Sequence, residues 1–181
     1  MTQYQQILDS LIDISKNPLR QVREFKERTG RKAIGCFPEY VPAELVYAAG
    51  MFPVGLWGGS VDISRAKEYV PAFCCSVLMT NLEFGLNGTY KDLDGVIVPC
   101  LCDTLKCIGQ DFKVGVPEMK IFQYAYPQMR KIEAGVAFLE SEYGRLLKFL
   151  EEISGSKVSD ALISDAIAIF NDKRKALRRF V

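Results

Sequence analysis

Six cysteines are the residues of this sequence whose type and spacing could do chemistry. Cys100, Cys102 and Cys107 lie close together in the stretch PCLCDTLKC, and Cys74 and Cys75 are adjacent in FCCS. The 181-residue chain contains no histidine, so its own residues can form neither an imidazole base nor a mixed cysteine–histidine zinc site. Sites built mainly from thiolates favour zinc or iron–sulfur clusters. The sequence therefore indicates a thiolate metal site, with buried structural thiols as the alternative for any single cysteine.

The charge balance and the N-terminal stretch argue against several other classes of function. The chain has 23 basic and 22 acidic residues, which gives no electrostatic reason to expect nucleic acid or an acidic membrane as a partner. It has no run of 18 or more apolar residues, and the polar start MTQYQQILDS lacks the pattern of a signal peptide. We therefore expect a cytoplasmic protein of one ordinary domain, in which six cysteines favour metal or redox chemistry over disulfides.

The elements that must position these thiols follow an alternating pattern along the chain. Short apolar stretches predict strands, and amphipathic stretches between them predict helices, which together indicate an α/β fold with a parallel sheet and helices on both faces. The predicted strands are 32–37, 52–59, 93–99 and 118–127. The predicted helices are two N-terminal ones that separate near Pro18, one that starts at Pro42 and ends at Gly50, and then 62–70, 72–86, 103–113, 128–155 and a last one capped by Ser159 or Asp160.

The thiols fall at the starts of two predicted helices. Cys100 and Cys102 follow strand 93–99 and precede a helix, and Cys74 and Cys75 open helix 72–86. Ligands of parallel sheets bind beyond the carboxyl ends of the strands, and a helix N-terminus there lowers the pKa of a thiol. The spacing is consistent with a site that uses one of Cys74 and Cys75 together with one of Cys100 and Cys102. Two ligands are too few for a fourfold site, so further ligands would come from elsewhere.

Four other reactive side chains have a plainer structural explanation. Cys36 lies in a predicted strand and Cys107 inside a predicted helix at an apolar-looking position, so we expect both in the core. Glu44 lies in a first helical turn, where the helix dipole favours an acid. Glu83 is predicted on a helix surface.

Two long stretches resemble a known family. KAIGCFPEYVPAELVYAAGMFPVGLWGG and PAFCCSVLMTNLEFGLNGTYKDLDGVIVPCLCDTLKCIGQDFK are similar to the 2-hydroxyacyl-CoA dehydratase family, which also includes benzoyl-CoA reductase-type subunits. The resemblance covers essentially the whole chain, which looks like the N-terminal half of a β-type subunit. It implies a 4Fe-4S cluster held by three cysteines, of which Cys75 of FCCS and Cys102 of CDTL are two. The third ligand is not in this chain, and Cys74, Cys100 and Cys107 receive no ligand role.

The resemblance also implies a reaction and partners. A β-like subunit of this family takes part in removing water from an (R)-2-hydroxyacyl-CoA through a ketyl radical, a hydro-lyase reaction, with its cluster relaying the electron. The implied partners are a homologous α-type subunit, which mainly holds the substrate, and an ATP-dependent iron–sulfur activator protein. Glu39, after GCFP, is the candidate catalytic residue, at a position where α subunits tend to offer a hydroxyl. We expect the isolated chain to be inactive. A subunit of a benzoyl-CoA-type reductase, or a truncated structural or accessory module with zinc or no metal, remains an alternative.

The same resemblance predicts the domain organisation. The fold expected is a Rossmann-like parallel sheet flanked by helices, with N-terminal helices and a C-terminal helical extension. Residues 1–155 are predicted to form a first Rossmann-like cluster-binding domain that includes the N-terminal helices. Residues 156–181 are predicted to begin a helical segment that leads to a second α/β domain, which this chain lacks.

Overall fold

A four-stranded parallel sheet organises the molecule. The structure, a computed structural model, describes residues 2–16, 18–38 and 40–180. Strands β1 (Ala33–Cys36), β2 (Phe52–Gly55), β3 (Gly95–Cys100) and β4 (Ile121–Ala125) lie in the order β2-β1-β3-β4, and each neighbouring pair is parallel. The chain steps one way from β1 to β2 and the other way to β3, so the sheet has a switch point between β1 and β3. The predicted α/β class with a parallel sheet is confirmed.

Seven helices of the described residues surround this sheet. They are α1 (Gln3–Lys16), α2 (Pro18–Thr29), α3 (Ala43–Ala48), α4 (Ser76–Leu86), α5 (Asp103–Gly115), α6 (Glu133–Ser154) and α7 (Asp160–Phe180), with 3₁₀ turns at Arg65–Glu68 and Thr89–Asp92. Within the described ranges, we find no helix that combines the length and the apolar character needed to cross a membrane.

The core lies in two layers, one on each face of the sheet. Leu82 of α4 and Phe112 of α5 pack on one face, and Leu146 and Leu150 of α6 pack on the other. Strand β3 contributes to both, because successive side chains of a strand point to opposite faces. Its apolar run is buried on both sides, as expected for the inner strand of a parallel sheet.

Several predicted boundaries differ from those of the structure. The predicted helix 72–86 begins only at Ser76, because residues 71–74 form a turn in which the Cys74 N–H donates to the Pro71 carbonyl. The predicted helix 62–70 shortens to the 3₁₀ turn Arg65–Glu68, and the predicted strand 52–59 ends at Gly55. The long helix predicted over 128–155 begins at Glu133.

Helices α2 and α7 pack on opposite sides of the sheet. Helix α2 lies against β2, where the rings of Phe25 and Phe52 stack with centroids 4.7 Å apart. Helix α7 lies against α3, where Tyr47 and Phe170 meet edge to face, and Arg174 pairs with Glu44. The predicted division of the chain at residue 155 stays a prediction.

Candidate functional site

Cys102 is the N-cap of α5, at the carboxyl end of β3. Its backbone is extended, with φ −135° and ψ 170°, and its Sγ accepts a hydrogen bond from the Leu105 N–H at 3.5 Å. The side chain is exposed. The amides of a helix N-terminus and the helix dipole stabilise an anionic sulfur there. The structure therefore places Cys102 where the sequence predicted it, in a position suited to a thiolate ligand.

Cys75 occupies the equivalent position on α4. It is the N-cap of that helix, is exposed, and makes no capping hydrogen bond through its side chain. Helices α4 and α5 pack together so closely that a Cβ on Gly85 would lie 2.8 Å from the Phe112 ring. Both N-cap thiols thus belong to one pair of adjacent helices on the same face of the sheet.

The structure distinguishes Cys74 from its neighbour Cys75. Cys74 is half-buried and packs against the core. Burial raises the pKa of the Cys74 thiol, and the negative charges of Cys75, Cys107 and Asp111 raise it further. Burial also raises the pKa of Asp111, whose Oδ2 is buried without a hydrogen-bond partner among the described residues. Of the adjacent pair, Cys75 is therefore the thiol available to an external ligand.

The connection from β2 to Cys75 is held against α4 by a buried carboxylate. Glu83 is only 3 % exposed and accepts hydrogen bonds from Ser64 N at 3.1 Å, Ser64 Oγ at 3.1 Å and Ala66 N at 2.9 Å. Burial by itself raises the pKa of Glu83, but the hydrogen bonds together outweigh it and lower the pKa below its ordinary value. The prediction of Glu83 as a helix-surface residue is wrong, because its partners come from a distant loop that the helical pattern does not reveal.

A second buried contact fixes the start of the same connection. Asn81 is fully buried and donates from Nδ2 to the Leu56 carbonyl at 3.1 Å, while Tyr90 Oη donates to Asn81 Oδ1 at 2.5 Å. Gly58 has φ +79°, and a Cβ there would lie 2.1 Å from Thr80 Oγ1. Asn81 and Glu83 were missed from the sequence, although polar residues at apolar positions of the helix SVLMTNLEFGL are a usable signal.

The remaining cysteines divide between core and surface. Cys36 is buried, and burial raises its pKa to about 12, so its prediction as a core residue is confirmed. Cys107 is exposed, so its predicted place in the core is wrong: the next residue, Ile108, faces the core instead. Cys100 is half-buried; burial raises its pKa and a hydrogen bond with the Gln123 side chain lowers it.

The described residues do not by themselves form a complete metal site. In the part of the chain that the structure describes, no three cysteine or carboxylate side chains converge closely enough to hold a metal ion. Cys75 and Cys102 are nevertheless exposed thiols at helix N-termini, which is the chemistry that an anionic iron–sulfur cluster requires of its ligands. Glu39, the candidate catalytic residue, lies outside the described residues, and its role stays a prediction.

A comparison with known families identifies the chain's relatives. Residues 38–181 match the family described as 2-hydroxyglutaryl-CoA dehydratase, D-component. The chain belongs to this family. This confirms the resemblance carried by the FCCS and CDTL stretches, both of which lie within the matched residues.

Individual relatives of this family share the chain's sequence closely. The (R)-phenyllactyl-CoA dehydratase beta subunit of Clostridium sporogenes is 48% identical over 168 residues, covering 93% of this chain and 45% of that one. The lactoyl-CoA dehydratase subunit beta of Anaerotignum propionicum is 40% identical over 182 residues, covering 100% and 48%. The (R)-2-hydroxyglutaryl-CoA dehydratase subunit beta of Acidaminococcus fermentans is 42% identical over 177 residues, covering 96% and 46%.

Two further facts bear on function. The chain spans about half the length of these curated relatives. A more distant relative, one of the benzoyl-CoA reductase subunits of Thauera aromatica, is 28% identical over 159 residues, covering 86% of this chain and 41% of that one. The similarity to beta subunits of dehydratases is therefore stronger than the similarity to this reductase protein.

Proposed function

We propose that this chain forms part of a β-type subunit of an enzyme that removes water from an (R)-2-hydroxyacyl-CoA, and that Cys75 and Cys102 ligate its 4Fe-4S cluster. The observation that carries the proposal is the pair of exposed cysteines at the N-cap positions of two packed helices, α4 and α5. The relatives that are named as dehydratase beta subunits support the class of substrate.

The residues around the two thiols suit this role. The Leu105 N–H donates to Cys102 Sγ, and hydrogen bonds of this kind to ligand sulfur tune an iron–sulfur cluster. Glu83 and Asn81 hold the connection that leads to Cys75, so that this thiol stays at the N-terminus of α4. When bound, a 4Fe-4S cluster supplies one-electron transfer, with a reduction potential set by hydrogen bonds to sulfur and by burial.

The rest of the machinery lies outside this chain in our proposal. A third ligand comes from the remaining half of a longer subunit or from another polypeptide, since no three cysteine or carboxylate side chains of the described residues converge closely enough to hold a metal ion. A homologous α-type subunit holds most of the acyl-CoA substrate. An ATP-dependent iron–sulfur activator delivers the electron that converts the substrate to a ketyl radical. Glu39 is the residue of this chain that we propose beside the reacting groups. The assembly is cytoplasmic in this proposal.

Metal content tests the ligand assignment directly. We would combine the chain with the polypeptide that supplies the third ligand, reconstitute them with iron and sulfide under strict anaerobiosis, and measure iron, acid-labile sulfide and the visible spectrum. Cys75→Ser and Cys102→Ser are each expected to lose at least about half of the iron, because a cluster released from one of few thiolates is poorly held. Cys107→Ser is the matched control, since Cys107 is exposed on the same helix as Cys102. Full iron and sulfide in Cys102→Ser would contradict its role as a ligand.

Two other functions are decided by the same preparations. The reductase relative at 28% identity is the reason to assay the complex with an α-type subunit and activator against both 2-hydroxyacyl-CoA and benzoyl-CoA esters. Dehydration of a 2-hydroxyacyl-CoA without reduction of benzoyl-CoA is the expected result. Stoichiometric zinc and no iron in protein never exposed to air would instead favour an accessory module, because zinc sites are closed by four ligands.

A further inference from the structure

A glutamine of the edge strand ties the first turn of α5 to the sheet. Gln123 lies on β4, paired in register with Val98 of β3. Its Nε2 donates to the Leu105 carbonyl at 3.0 Å and to the Lys106 carbonyl at 2.8 Å. Its Oε1 accepts from Gln110 Nε2 at 3.2 Å. These three contacts tie the amide to α5, and the same side chain also interacts with the Cys100 thiol.

The helix makes room for this amide at a single position. Gly109 lies in the interior of α5, where glycine costs about 1 kcal/mol of helix stability relative to alanine. A Cβ on Gly109 would lie 2.7 Å from both Cδ and Oε1 of Gln123. The absence of a side chain at Gly109 is thus what lets the Gln123 amide reach the two carbonyls of the first turn. Neither residue stands out in the sequence pattern.

One residue links this tie to the candidate ligand. The carbonyl of Leu105 accepts from Gln123, and the N–H of Leu105 donates to Cys102 Sγ at 3.5 Å. Cysteine is not among the residues that usually cap helices, so the hydrogen bond to its sulfur does little by itself to fix the position of the first helical turn. The orientation of the Leu105 N–H toward sulfur consequently depends on where the first turn is held.

We propose that Gln123 is a positioning residue for Cys102: it anchors the first turn of α5 so that the Leu105 N–H stays directed at the Cys102 sulfur. The consequence for the cluster rests on the proposed function, because hydrogen bonds to ligand sulfur tune a cluster's potential only if Cys102 is a ligand. The positioning itself is a property of the metal-free chain, and it is measurable there.

The test follows the Leu105 amide in the ¹⁵N-labelled metal-free chain. Its chemical shift reports the N–H···S hydrogen bond, and magnetisation transfer from water measures its exchange rate. Gln123→Leu removes the donors and the acceptor at similar volume, and Gly109→Ala displaces the Gln123 amide without removing any polar group. Each is expected to speed exchange at Leu105 about tenfold, as the loss of hydrogen bonds of typical net strength implies. The matched control Gln110→Ala removes only the contact to Oε1, and we expect a change within about twofold.

A double-mutant cycle separates positioning from a general structural role. In a Cys102→Ala background the Leu105 N–H has already lost its sulfur acceptor, so adding Gln123→Leu should change its shift and exchange little further. An equal increment with and without Cys102, or an unchanged Leu105 amide in both Gly109→Ala and Gln123→Leu, would overturn the proposal. Gly109→Ala carries the test if Gln123→Leu does not fold.

The two proposals fail separately. If Cys102→Ser keeps its full iron while the Leu105 amide still responds to Gln123→Leu, the ligand role of Cys102 is wrong and the tie between Gln123 and the first turn of α5 stands. If Cys102→Ser loses its iron while the shift and exchange rate of the Leu105 amide are unchanged in Gln123→Leu and Gly109→Ala, the ligand role stands and the positioning role of Gln123 is wrong.

Discussion

Replacing the buried carboxylate of Glu83 should destabilise the protein by an amount that depends on how many of its hydrogen bonds survive. Glu83 is 3 % exposed and accepts from the backbone amides of Ser64 and Ala66 and from the Ser64 hydroxyl, at 2.9–3.1 Å. Both amides bind the same oxygen, Oε2. The Glu83 side chain therefore holds the connection between β2 and Cys75 against α4 mainly through its Oε2 atom.

The two informative substitutions are Glu83→Gln and Glu83→Leu. Glutamine can place its carbonyl oxygen where Oε2 lies and keep both amides bonded, so the cost is the loss of charge assistance, about 1 kcal/mol. Leucine has a similar volume but no acceptor, so it leaves two backbone amides without a partner. That variant should lose about 3 kcal/mol of unfolding free energy, because an unsatisfied buried donor costs about 1–3 kcal/mol.

The pH dependence has a definite sign. The hydrogen bonds hold the pKa of Glu83 below its ordinary value despite burial, so the folded state favours the carboxylate. The resulting stability is fully present above the unfolded pKa of about 4.3 and is lost as the pH falls through the lower folded pKa. The difference in unfolding free energy between wild type and Glu83→Gln should therefore be largest near neutral pH and shrink below about pH 4.

Urea denaturation at several pH values, with midpoint and slope fitted separately, measures these quantities. Equal losses in Glu83→Gln and Glu83→Leu at neutral pH would refute the account, since they would mean that the hydrogen bonds to Ser64 and Ala66 contribute nothing. A difference between wild type and Glu83→Gln that stays constant into acid would refute the assigned sign of the pKa shift.

Two further predictions use matched positions of the chain. Gly58→Ala should lower the free energy of unfolding, measured by urea denaturation, by about 3 kcal/mol, because Gly58 combines a φ of +79° with a Cβ contact of 2.1 Å. Gly30→Ala should lower it by only about 1 kcal/mol, because Gly30 has a φ of +66° but open space around it. Equal costs would show that the steric contact at Gly58 is relieved. Iodoacetamide followed by peptide mass analysis should label exposed Cys107 in the native chain and leave Cys36 unlabelled until unfolding, because burial raises the pKa of Cys36 to about 12. Native labelling of both at similar rates would contradict the burial of Cys36.

The elements of the fold could be predicted because their signals are local. The run GVIV predicted a strand, and β3 is buried on both faces. The break near Pro18 separates α1 from α2, since proline restricts the residue before it. Gly155 ends α6 with φ +75°, a conformation that glycine adopts without strain. Boundaries failed where a distant side chain intervened, as at the 3₁₀ turn Arg65–Glu68, where the Ala66 N–H and the preceding Ser64 N–H donate to Glu83.

The candidate site was only partly readable from the sequence. The order strand, cysteine, helix placed Cys102 at a helix N-terminus, and the structure agrees. The pattern FCCS could not say which thiol is accessible, because Cys74 is half-buried only through its tertiary packing against the apolar core. Cys107 was misplaced because one position of a helix differs from the next by about 100° of rotation, and small errors in the assumed inward face decide between core and solvent.

The sequence by itself determined the family, the α/β class and the placement of two thiols at helix starts, because each depends on short patterns that neighbouring residues carry together. Only the tertiary structure decided that the buried Glu83 carboxylate accepts hydrogen bonds from Ser64 and Ala66 and that Gln123 donates to the first turn of α5. These contacts join residues 17 to 19 positions apart in the chain. No local period encodes such pairs, since they form only when the sheet brings β4 beside α5 and the β2 connection beside α4.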